Sequence, residues 1–188
     1  MLQGHSMDII DIDWAFGRAV NNSMQSIYTV ASASIDNNVM VWEIPVSDGD
    51  NVPVSMQTII PKSILRGHGS FVKGVTFDPI GRYLISMGAD NQCIVWENQT
   101  SMFASKKTQT QLSGKSADIL NRLKIPTRPS EAKAKLTLRS SNDDWVVVYQ
   151  ITAPFENAPD KTLFRRGSWA PDGSCVCMCN AIKSTKPI

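Results

Sequence analysis

Residues 65–96 read Leu65-Arg66-Gly67-His68-Gly69-Ser70-Phe71-Val72-Lys73-Gly74-Val75-Thr76-Phe77-Asp78-Pro79-Ile80-Gly81-Arg82-Tyr83-Leu84-Ile85-Ser86-Met87-Gly88-Ala89-Asp90-Asn91-Gln92-Cys93-Ile94-Val95-Trp96. Three short runs, at Val72, Tyr83 and Cys93, are rich in Val, Ile and aromatic residues and are separated by Asp-Pro-Ile-Gly and Asp-Asn. Runs of that length bounded by turn residues predict strands joined by tight turns, not helices. Within them Val72, Gly74 and Thr76 alternate with Lys73, Val75 and Phe77, the period of a pleated strand.

The same pattern is written twice more. Upstream stand Gly4-His5, Ile9-Ile10-Asp11-Ile12-Asp13-Trp14, Thr29 to Asp36, and Val39-Met40-Val41-Trp42. In both copies a Ser lies four residues before an Asp, and a Trp follows that Asp by six. A third copy opens at Arg165-Arg166-Gly167-Ser168-Trp169-Ala170-Pro171-Asp172-Gly173 and continues through Cys175 to Asn180. Repeats with Gly-His near the start and a late Trp are the signature of WD-repeat propeller blades of four strands. The expected fold is therefore all-β, an incomplete WD40 β-propeller. Residues 1–62 read as one blade with extended loops, 63–99 as a second, 100–142 as a basic polar insertion, and 143–188 as the start of a third, truncated blade.

Within each blade, a buried polar chain is expected. Asp90 accepts from backbone N–H groups of its turn and from His68, which reaches Ser86 and the Trp96 indole; His5, Ser32, Asp36 and Trp42 repeat the set. About two and a half blades cannot close a ring, so strand edges and apolar blade faces are expected to be exposed, with self-association as the consequence.

Charge divides the chain. Residues 1–99 carry a net −5, residues 100–140 a net +7, and the remainder is neutral, giving +2 overall. The basic stretch has no aromatic residue among its Lys and Arg beyond Ala104, which argues against base stacking; a solvated insertion is expected, without direct nucleic-acid contact. No apolar run approaches the roughly 18 residues of a membrane helix, and Met1–Ile12 lacks the pattern of a secretory signal. A soluble intracellular protein is expected.

Little suggests catalysis. Both histidines fill the same slot of the repeat, so neither is free to act as a base. Cys175, Cys177 and Cys179 share one strand face at period two, poor geometry for tetrahedral zinc, and are expected to be small buried residues. Asp48-Gly49-Asp50 and Asp143-Asp144 read as turns, and Asp11 and Asp13 as the wetter face of a strand. No phosphate-binding glycine loop or nucleophile elbow is present. No catalytic residue, cofactor, metal or small-molecule substrate is expected.

Leu65 to Leu84 resembles the HIRA (Hir) family of histone chaperones, whose pattern is Leu-Arg-Gly-His-Ser, Val-Lys-Gly, Trp-Asp-Pro, Gly-Lys-Tyr. Gly4-His5-Ser6, Asp11 to Trp14 and Ala31 to Asn37 agree with the preceding blade; Asp144-Trp145, Ile151 to Phe155, Phe164-Arg165-Arg166, Ser168-Trp169 and Pro171 to Gly173 follow the same family. Residues 99–142 depart from it. The chain is also similar to a sister family, the middle WD-repeat subunit of chromatin assembly factor 1; Val72-Lys73-Gly74 and the Asp144-Trp145…Pro154-Phe155 pair favour the first. The resemblance implies a piece of a seven-bladed domain in a nuclear, non-enzymatic scaffold for replication-independent nucleosome assembly and transcriptional regulation. It implies partners in a ubinuclein-type subunit, core histones and other chaperone subunits. Under the sister reading assembly is coupled to replication; a generic WD adaptor is the remaining alternative. Lys73, Asp78, Arg82, Asp144, Trp145, Arg165 and Arg166 are the candidate partner contacts on the rim.

Overall fold

The computed structural model describes residues 1–15, 18–19, 25–47, 58–100, 144–152, 155 and 162–179. The basic stretch 101–142, Asp48-Gly49-Asp50 and Asp143 lie outside the described residues.

Eleven strands are described, all paired antiparallel. The first sheet holds β1 (Ile9–Trp14), β3 (Gln25–Ser34), β4 (Asn38–Ser47) and β5 (Ser63–Arg66) in that order, with the short β2 (Arg18–Ala19) beside β3. A second sheet follows as β6 (Val72–Phe77), β7 (Tyr83–Gly88), β8 (Cys93–Asn98) and β9 (Trp145–Ile151). A hairpin, β10 (Gly167–Trp169) with β11 (Val176–Met178), begins the third. The sheets are offset by one strand from the sequence repeats: Ser63–Arg66, at the head of the second repeat, supplies the outer strand of the first sheet. Likewise β9, across the insertion, supplies the outer strand of the second. This interlock ties each sheet to the next repeat by backbone hydrogen bonds.

The turn chemistry explains the strand ends. Asn37 and Asn91 adopt φ of 69° and 58° directly after Asp36 and Asp90, a left-handed conformation that Asn tolerates better than most residues. Gly81 and Gly173 adopt φ of 68° and 66° and donate N–H to the carbonyls of Asp78 and Ala170 at 3.0 and 2.8 Å, closing the turns between β6 and β7 and between β10 and β11. The insertion leaves and returns at one point: Asn98 is paired with Trp145, and the Gln99 N–H donates to the Asp144 carbonyl at 2.7 Å. Its ends need no closure beyond the sheet itself, which is why length is tolerated there.

Apolar side chains on both faces of the central sheet make two cores. Ala31, Ala33, Val39, Val41 and Leu65 of the first sheet pack on Val72, Val75, Phe77, Leu84, Ile94 and Trp96 of the second. On its far face, Tyr83, Ile85, Met87, Cys93, Val95 and Tyr149 pack with Phe155, Trp169, Val176 and Met178. Covered on both sides, β6 and β7 are buried at every residue, so the alternation expected from the sequence separates two buried faces rather than core from solvent. Strand β1 departs from expectation in the other direction. Its Asp11 and Asp13 point at the second sheet, whereas Ile12 and Trp14, 56% and 55% exposed, take the open face.

Candidate functional site

Each of the two complete sheets carries one buried polar chain at the same place. In the first, His5 Nδ1 donates to Asp36 Oδ2 at 2.8 Å, His5 Nε2 meets Ser32 Oγ at 2.7 Å, and Trp42 Nε1 donates to Ser32 Oγ at 2.9 Å. In the second, His68 Nδ1 lies 3.1 Å from both carboxylate oxygens of Asp90, His68 Nε2 meets Ser86 Oγ at 2.8 Å, and Trp96 Nε1 donates to Ser86 Oγ at 2.9 Å. A carboxylate only accepts, so Nδ1 is the donor. The Ser hydroxyl takes the indole N–H and, for a neutral imidazole, gives its own proton to Nε2.

The turn completes the carboxylate's shell. Asp36 accepts from the backbone N–H of Ser6 and Asn38 at 3.1 and 3.0 Å; Asp90 accepts from Gly69 and Gln92 at 2.8 and 3.2 Å. Burial pushes both carboxyls up. The His5 hydrogen bond with the two backbone donors overcomes this for Asp36, and the His68 hydrogen bond and charge do so for Asp90; both end below the usual carboxylate range. The repeated Gly-His start has a steric reason. A Cβ on Gly4 would stand 2.8 Å from the Trp42 ring, and one on Gly67 3.0 Å from the Trp96 ring, so the chain passes each Trp only without a side chain.

Between the sheets lies a junction that sequence patterning did not single out. Asp11 Oδ2 accepts the Val75 N–H at 3.2 Å and Asp13 Oδ2 the Phe77 N–H at 2.7 Å, so two carboxylates of β1 cap the inner edge of β6. Arg166 Nε donates to the other oxygen of Asp11 at 2.8 Å, bringing the third unit onto the same carboxylate. Gly74 makes room for this. A Cβ there would collide with the Arg165 carbonyl, whose residue also donates its N–H to the Lys73 carbonyl at 3.1 Å. The signal in the sequence was Asp at alternate positions of one inner strand with Gly at the matching position of the next.

The seven rim candidates divide. Lys73 is fully buried, its ammonium 5.1 Å from the Phe71 ring centre. Asp78 is 2% exposed and caps the turn by accepting the Tyr83 N–H at 2.9 Å. Trp145 packs against Phe77, ring centres 6.0 Å apart, and Arg165 is buried against Asn91 and the Phe155 ring. These four are interior groups in this fold, because both faces of the second sheet are covered. Three reach solvent: Arg82, paired with Glu97 at 2.9 Å; Asp144, 3.9 Å from Lys62; and Arg166. For Arg82, burial opposes the charge, but the Glu97 hydrogen bond raises its pKa above the ordinary arginine value.

The cysteines also differ from expectation. Cys93 is buried, and burial alone pushes its thiol up to about 12. Cys177 and Cys179 are exposed and Cys175 is half-buried. Among the described residues no group of three or more His, Cys, Asp or Glu is arranged to hold a metal, and no helix is long and apolar enough to cross a membrane.

Residues 60–97 match the model of the WD domain, G-beta repeat. Over 181 residues the chain is 26% identical to Protein HIR1 of Mycosarcoma maydis, covering 96% of this chain and 11% of that protein. It is 31% identical over 175 residues to a subunit of chromatin assembly factor 1 from Gallus gallus, covering 93% of this chain and 22% of that one. Chromatin assembly factor 1 subunit FAS2 homolog of Oryza sativa subsp. japonica is 26% identical over 174 residues, covering 93% of this chain and 27% of the relative. The chain thus spans between 11% and 27% of the length of these relatives.

Proposed function

We propose that this WD-repeat chain, similar along nearly its whole length to HIR1-type proteins and to a chromatin assembly factor 1 subunit, is part of a histone-chaperone scaffold. One observation carries the reading: the similarity extends over 93–96% of the chain, far beyond the single WD repeat at 60–97 that any adaptor would share. In this role the chain works by presenting surface, not by catalysis. The two His–Asp–Ser–Trp chains hold the sheets rigid, while Arg82, Asp144 and Arg166 are the solvent-facing contacts among those expected from sequence. The acidic residues 1–99 suit a surface that works beside basic proteins.

The pathway within that role is replication-independent nucleosome assembly in the nucleus, with a ubinuclein-type subunit, core histones and other chaperone subunits as partners. The 31% identity to the chromatin assembly factor subunit favours replication-coupled assembly as the second reading. A pull-down of core histones from nuclear extract by the tagged native protein tests the role. Retention of core histones above a β-propeller control supports it; their absence favours a generic adaptor. Loading of the protein onto chromatin during blocked DNA synthesis separates the two pathways, since only the replication-independent one persists.

A further inference from the structure

We draw no further inference here: the strongest candidate, the exposed surface patch of Leu163 and Phe164 that leads into β10, with the Arg166 guanidinium 4.9 Å from the Phe164 ring centre, carries nothing, because nothing in the structure shows what covers it.

Discussion

Replacing Asp90 by Ala removes the carboxylate at the end of the second sheet's polar chain. Of its three donors, the Gly69 N–H is exposed and finds water, so its loss weighs little. The His68 ring is different: its side chain is 1% exposed, and Nδ1 loses the only kind of partner the geometry offers it. An orphaned buried donor costs roughly 1–3 kcal/mol, so a loss of about 2 kcal/mol is expected, read by urea unfolding at pH 7 through the buried Trp96. Ser86→Ala breaks the same chain from its other end. The double variant is expected to lose less than the sum, by about 0.5–3 kcal/mol. The carboxyl's folded pKa lies below its unfolded value of 3.8. Its stabilisation is therefore complete above that value and disappears as pH falls through the lower folded one. The difference between wild type and Asp90→Ala narrows as pH falls through that lower folded value. A loss under about 0.5 kcal/mol, strict additivity with Ser86→Ala, or a difference unchanged at low pH would refute the idea of a connected buried chain.

Three further outcomes follow from the geometry. Arg166→Ala changes stability by at most about 1 kcal/mol, because its side chain is 60% exposed, whereas Asp11→Ala costs more, since the Val75 N–H also loses its acceptor; the two unfolding midpoints, compared directly, give the ranking. In dilute native protein a thiol reagent modifies Cys177 and Cys179 first and leaves Cys93 unmodified until denaturant is added, reflecting burial and a thiol pushed up to about 12; mass spectrometry of quenched samples counts the labels. Excising residues 101–143 and joining the ends by a short Gly-Ser link leaves the second sheet folded, because Asn98 and Trp145 are already paired. Circular dichroism and unchanged protection of Cys93 are the readouts, and loss of either contradicts the pairing.

Local spacing made most of the fold legible. Gly-His, Ser, Asp and Trp at matched intervals predict one strand arrangement twice over, and each set meets at hydrogen-bonding distance across two adjacent strands, their turn and the Gly-His segment. Turn residues did the same for strand ends: Asp-Pro-Ile-Gly and Asp-Asn need a left-handed residue, and both turns have it at the expected place. Burial was less legible. Lys73 and Arg165 look like surface cations in sequence, yet both lie inside, since the central sheet is covered on its two faces. Ile12 and Trp14 look like core and face outward.

Secondary structure and repeat architecture thus follow from the order of residue types alone, because strand period, turn conformation and the Gly-Trp contact are local or repeated properties. Which face of each strand is covered depends on what neighbour the fold places there. Asp11 turns inward because β6 presents N–H groups to it, and Cys177 turns away from the second sheet because its neighbours Val176 and Met178 pack against that sheet. Those choices belong to contacts between units distant in sequence, and only the tertiary arrangement makes them.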